Sequence, residues 1–126
     1  MQRTMLKSKI HRARVTEACI DYEGSISIDA RLLEAADIIE YERVDVYNIS
    51  NGERFSTYAI TGEPDSGVIC LNGAAARKVS MNDLIIICSY VTLEEAECRR
   101  HKPRMVYVDQ SNHIVRTAHA MRILHR

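Results

Sequence analysis

Apolar and polar side chains alternate at every second position through much of the chain, the period of strands with one buried face. The clearest stretch runs from Arg43 to Ile49 through Val44 and Val46. Ser50-Asn51-Gly52 then turns the chain into Arg54 to Ile60, and Asn-Gly suits the positive φ angles of a hairpin turn. Val68 to Leu71 and Leu84 to Val91 are further β-rich runs, separated by Asn72-Gly73, three alanines and the polar Ser80 to Asp83. Met105 to Asp109 follows Pro103 as another short strand. Lys7 to Val15 reads as a strand with Lys9, His11 and Val15 on one side. Helical signals are few: Asp29 caps a short helix over Arg31 to Ala36, and Thr92-Leu93-Glu94-Glu95 has capping-box spacing for a second helix ending near Arg100. Many short strands with two small helices predict a compact, mainly-β barrel.

Composition adds bounds. The 126 residues, 46% of them hydrophobic, suit a single domain with one core. Seventeen basic and seventeen acidic side chains cancel, so no global field draws nucleic acid, an anionic membrane or a polyanionic substrate. The opening MQRTMLKSKIH lacks the apolar stretch of a secretory signal, and the longest apolar run, Leu84 to Cys88, is too short to cross a bilayer. A cytoplasmic protein is expected. Cys19, Cys70, Cys88 and Cys98 form no CxxC pair and read as structural thiols of a reducing compartment. His113, His119 and His125 recur every six residues, which matches no usual ligand spacing, so no metal site is expected.

Three segments carry candidate chemistry. Glu23-Gly24-Ser25 reads alone as a turn. Gly next to Ser also suits an intramolecular acyl shift, because Gly24 admits unusual backbone angles and leaves its carbonyl open to the Ser25 hydroxyl. Attack makes an ester, elimination across Ser25 makes dehydroalanine, and hydrolysis leaves a pyruvoyl cap and ammonia. In Arg54-Phe55-Ser56-Thr57-Tyr58, the residues Arg54, Ser56 and Tyr58 share one strand face and Thr57 points the other way. Arginine grips a carboxylate with two parallel hydrogen bonds and tyrosine passes a proton; the plain alternative is a solvated face with a cross-strand salt bridge to Glu53 or Asp45. Asn72-Gly73-Ala74-Ala75 is either a turn into small packed residues or a run of backbone amides open to an anion. Lys9 and His11 are basic-strand residues two apart, which read first as surface.

Together these segments resemble the pyruvoyl-dependent aspartate 1-decarboxylase family. The resemblance runs nearly end to end, through RTMLKSKIHRARVT, DYEGSISID, NGERFSTYAI, LNGAAA and DLIIICSYV, in order and at matching spacing. It implies a double-psi β-barrel with two or three short helices. It also implies a homotetramer with active sites where subunits meet, and a proenzyme that cuts itself between Gly24 and Ser25 into residues 1–24 and 25–126. Ser25 would become the covalent pyruvoyl cofactor, whose keto group condenses with the amine of L-aspartate as a Schiff base. The products would be β-alanine, for pantothenate and coenzyme A, and carbon dioxide. By the same resemblance Tyr58 is the proton donor, and Lys9, Arg54, Thr57, Gly73, Ala74 and Ala75 contact substrate. Thr57 also assists cleavage at the Gly24 carbonyl, Asn72 orders the pyruvoyl, and His11, Tyr22 and Tyr47 border the site.

Some positions depart from the common family pattern. Tyr47 stands where tryptophan is frequent, Asn82 where glycine is, and Arg77-Lys78 replaces a less charged pair. The tail after Asp109, with Arg116, His119, Arg122, His125 and Arg126, matches weakly, and partial disorder without a role is expected there. Three rivals stand beside this reading: a non-catalytic barrel that contacts phosphates, a pyruvoyl enzyme for another acidic amino acid, and a precursor that stays uncut or needs an accessory maturation factor.

Overall fold

The computed structural model describes residues 1–120. Nine strands form one hydrogen-bonded order, β2-β6-β3-β5-β4-β7-β1-β8-β9. In chain order they are β1 (Gln2–Arg14), β2 (Glu17–Cys19), β3 (Ser25–Asp29), β4 (Arg43–Asn48), β5 (Arg54–Gly62), β6 (Ile69–Asn72), β7 (Leu84–Glu94), β8 (Arg104–Val108) and β9 (Ile114–Ala118). Helix α1 (Ala30–Ala36), a 3-10 segment over Gly73–Lys78 and a single turn, α2 (Glu95–Cys98), complete the described elements. The expected mainly-β architecture with three short helices is what forms, consistent with a double-psi barrel that hydrogen bonds do not close.

The core lies on the inner face. Ile10, Ile26, Ile28, Val46, Ile69, Leu71, Ile85 and Ile87 are fully enclosed, each such side chain contributing about 1.5–3 kcal/mol by leaving water. Alternation therefore sends Ser25 and Ser27, Cys70 and Asn72, and Arg54, Ser56 and Tyr58 to the opposite, outward face. The expected hairpin forms between β4 and β5, with Gly52 at φ 80°. Asp29 caps α1 by accepting from the Arg31 amide at 2.8 Å, and also accepts from the amides of Asp65 and Gly67.

Four expectations need correction. Lys9, His11 and Val15 do not share a side: a bulge between Ile10 and Ala13, with Arg12 at φ 63°, switches the alternation so that Ala13 and Val15 enter the core while Lys9 faces outward. Thr92-Leu93-Glu94 stays in β7 because β1 pairs with it as far as Gln2–Glu94, which leaves α2 one turn without a side-chain cap. Strands β2 and β3 were not expected, and β3 places the Gly24-Ser25 step at the start of a strand rather than in a free turn.

The tail after Asp109 is not disordered through its described part, since β9 pairs antiparallel with β8; Arg122, His125 and Arg126 lie outside the described residues. Asn112 holds this ribbon to the barrel. It is 1% exposed, accepts from the Arg14 amide at 2.7 Å and donates to the Arg14 and Gly67 carbonyls at 2.8 Å. Asn112→Ala leaves buried backbone groups unpaired and forces alanine to φ 62°, so a loss of about 2–4 kcal/mol is expected. Urea unfolding followed by circular dichroism checks it; an unchanged midpoint would remove Asn112 from this role.

Candidate active site

The Gly24-Ser25 step sits on a strap. Strands β2 and β3 flank β6, and Asn72 at the end of β6 is level with Cys19 on one side and Ser25 on the other. Residues 20–24 therefore cross over the end of β6, and Gly73 lies directly beneath them. Gly73 has φ 65°, and a Cβ there would stand 2.7 Å from the Gly24 nitrogen and Cα and 2.8 Å from the Tyr22 carbonyl oxygen. Only glycine meets both demands, left-handed backbone and close approach.

Ser25 is 5% exposed at the wall of an open cavity of about 530 Å³ that Tyr22, Ser27, Cys70 and Asn72 also line. The Asn72 amide donates from Nδ2 to Ser25 Oγ at 2.9 Å and to Ser27 Oγ at 3.2 Å. Its Oδ1 accepts from the Cys70 thiol at 3.3 Å, which fixes the amide's orientation with its donors toward Ser25. Burial, then the hydrogen bond with Cys19, pushes the Cys70 thiol up to about 12, so it is a protonated donor.

A second group lies on the outward face of β1, β7, β4 and β5. Lys9 is level with Cys88, Cys88 with Asp45, and Asp45 with Ser56. Arg54 stacks over the Tyr47 ring with its guanidinium carbon 4.2 Å from the centroid, and the Tyr47 and Tyr90 hydroxyls are 2.6 Å apart. Burial, then that hydrogen bond, pushes the Tyr90 hydroxyl upward. The expected cross-strand salt bridge to Arg54 is absent among the described residues: Asp45 pairs with Arg43, two residues away on the same strand, and across the strands it accepts from Ser56 at 2.8 Å. Among the described residues Arg54 and Lys9 have no ion-pair partner, so both cations remain available to a carboxylate. Tyr47, where the resemblance implies tryptophan, still presents an aromatic ring and steadies Arg54 by a cation–π contact.

Tyr58 is level with Ser25 on the neighbouring strand. One residue before the Ile26–Ala59 pair of the parallel strands β3 and β5 stand Ser25 and Tyr58, so both fall on the outward face of neighbouring strands. Tyr58 is 36% exposed, with the Tyr41 ring 6.4 Å away. Thr57, level with buried Val44, points to the other face, and among the described residues no hydrogen bond joins it to Gly24. His11 stacks edge-on against Tyr107 at 5.8 Å in a different cavity, and its pKa is lowered by burial, then by Lys9 and Arg12. None of Lys9, His11, Arg54 or Tyr58 lines the Ser25 cavity. Ala74 and Ala75 follow Gly73 in the 3-10 segment, with Ala75 packed against the core.

The family model for aspartate decarboxylase matches residues 1–115. This chain belongs to the aspartate decarboxylase family. An aspartate 1-decarboxylase of Tolumonas auensis is 60% identical over 118 residues, covering 94% of each chain. One of Syntrophus aciditrophicus is 62% identical over 114 residues, covering 90% of this chain and 98% of the relative. One of Methylobacillus flagellatus is 60% identical over 114 residues, covering 90% of each. Asn82, where the resemblance implies glycine, has φ 72°, a conformation asparagine tolerates better than most residues.

In this aspartate decarboxylase family member, Cys19 and Cys70, which read from the sequence as structural thiols, and Ser27 and Glu17, which the sequence did not single out, all line the Ser25 cavity. Their signal was alternation: Ser25 and Ser27, Cys70 and Asn72, and Glu17 and Cys19 are each two apart on a strand. Reading it required knowing that β2, β6 and β3 are neighbours.

Proposed function

We propose that this chain is a self-processing, cytoplasmic decarboxylase that converts L-aspartate to β-alanine and carbon dioxide, supplying pantothenate synthesis. The observation that carries the reading is Ser25, held by the Asn72 amide at 2.9 Å beside a Gly24 so close to Gly73 that no side chain fits between them. In the first step Ser25 Oγ attacks the Gly24 carbonyl carbon, the peptide C–N bond breaks and an ester forms. Loss of the Ser25 Cα proton expels the Gly24 carboxylate, and water then releases ammonia.

The residues present fit a pyruvoyl group at position 25. Asn72 already donates to the Ser25 side chain, Ser27 and Cys70 fix that amide, and the cavity opens to solvent. A pyruvoyl group would supply the electron sink for the pair left on the carbon when carbon dioxide departs. Arg54, braced on Tyr47, orients a substrate carboxylate by a bidentate grip, and Lys9 adds a second positive charge. Tyr58 delivers a proton to the carbon that has lost its carboxylate. Thr57 assists at the Gly24 carbonyl, the Gly73 to Ala75 backbone binds substrate, and His11 and Tyr22 support the site's border.

In one chain the Ser25 cavity and the Lys9–Arg54 group are separate, which supports sites completed between subunits, as in the homotetramer that the resemblance implies. An arginine clamp reads a carboxylate without measuring chain length, so aspartate is checked against glutamate; faster release of carbon dioxide from glutamate would overturn the substrate. Tyr58→Phe is expected to self-cleave normally yet lose about 10²–10⁴-fold in turnover. Denaturing electrophoresis with a carbon dioxide assay separates the two steps, and unchanged turnover would take the proton transfer away from Tyr58.

A further inference from the structure

Three side chains on the outward face of β2 and β6 converge beside the Ser25 cavity without a part in the chemistry above. The Cys19 and Cys70 sulfurs are 3.9 Å apart. Glu17 Oε2 lies 3.8 Å from Cys19 Sγ and 3.9 Å from Cys70 Sγ. These are near-equal edges of a triangle of three potential ligand atoms. A tetrahedral zinc ion bonds thiolate sulfur at about 2.3 Å, which sets sulfur ligands about 3.8 Å apart, so the triangle already has the dimensions of one tetrahedral face. The arrangement comes from the register, since Glu17 is level with Cys70 and Cys19 with Asn72 across two parallel strands.

We propose that Glu17, Cys19 and Cys70 bind a zinc-class divalent cation. Two thiolates and one carboxylate select a borderline-soft ion over magnesium or calcium, which prefer oxygen alone. The fourth position faces the open cavity that Ser25 shares, where water or a substrate carboxylate completes the tetrahedron. Binding replaces two thiol protons, which leave to solvent as the sulfurs take up the metal. Metallation withdraws the Cys70 S–H from Asn72 Oδ1, so an occupied site also loosens the amide that holds Ser25. Glu17 and Cys19 precede the Gly24-Ser25 bond and Cys70 follows it. The consequence that an ion ties the two pieces of the cut chain together rests on the self-cleavage reading; the site itself does not.

Cobalt(II) is the probe, because a cobalt–thiolate bond gives near-ultraviolet charge-transfer absorption and tetrahedral coordination gives strong visible bands. Titration of the full chain is expected to show both at one equivalent per chain, with zinc displacing cobalt and magnesium leaving it in place. Cys19→Ser, at a half-exposed position the core does not need, should weaken cobalt binding at least about a hundredfold. Cys88→Ser and Cys98→Ser should leave the spectrum unchanged. The uncut Ser25→Ala chain should bind cobalt as the parent does, which separates this proposal from self-cleavage. No thiolate band, or a band that survives Cys19→Ser, would overturn the site.

Discussion

Ser25→Ala is expected to give one uncut chain of 126 residues that releases no carbon dioxide from aspartate, while the barrel stays folded. The substitution removes the only atom proposed to attack the Gly24 carbonyl, and with it the ester whose elimination lets Ser25 Cα become the keto carbon, so both steps fall together. The structural cost is small. Asn72 loses one acceptor at 2.9 Å but keeps Ser27 at 3.2 Å, so stability should fall by about 1 kcal/mol. Mass spectrometry reads the cutting and thermal melting reads the fold. A cut Ser25→Ala chain, or one that turns over aspartate, would contradict the mechanism.

Gly73→Ala is expected to be nearly as severe by a different route. The new Cβ would stand 2.7 Å from the Gly24 nitrogen and Cα, against backbone that cannot rotate aside as a side chain would. Holding alanine at φ 65° costs about 1–2 kcal/mol more. The strap must lift, and a shift of about 1 Å at a reacting centre costs about a hundredfold in rate. Self-cleavage should slow by at least that factor while β4, β5 and β7 remain paired. A time course of chain cutting after denaturant-assisted refolding follows it; cutting at the parental rate would mean that the strap is free of Gly73. Slowed cutting would assign Gly73 to processing as well as to substrate binding.

Local signals were legible wherever local physics decided the structure. The Asn-Gly hairpin and the Asp29 cap are fixed within a few residues, and both formed where expected. The bulge at Arg12 was not legible, because the demand for Ala13 and Val15 in the core comes from strands far along the chain. Thr92 to Glu94 carried a helix signal that pairing with β1 overrode, since each residue kept in the ladder satisfies its backbone groups. The tail looked polar and dispensable until Asn112 met Arg14, 98 residues away.

The site divides the same way. Arg54 and Tyr58 on one face, with Thr57 on the other, followed from alternation alone. The Ser25–Asn72 contact joins residues 47 apart and the Cys19–Cys70 contact residues 51 apart, and both depend on β6 lying between β2 and β3. Resemblance supplied Asn72 as a partner of Ser25 where pattern could not. Neither supplied Glu17, Cys19 and Cys70 as a cluster, because residues on neighbouring strands 51 positions apart carry no shared spacing in the sequence.

The central claim is that this chain cuts its own Gly24-Ser25 bond and turns Ser25 into a reactive carbonyl. Intact mass of the purified parent chain under denaturing conditions, before and after borohydride treatment, tests it most directly. The account predicts two fragments, residues 1–24 and 25–126, the larger without a free amino terminus and gaining two hydrogens on reduction of its keto group. A single uncut mass, or a larger fragment that begins with an ordinary serine, would contradict it.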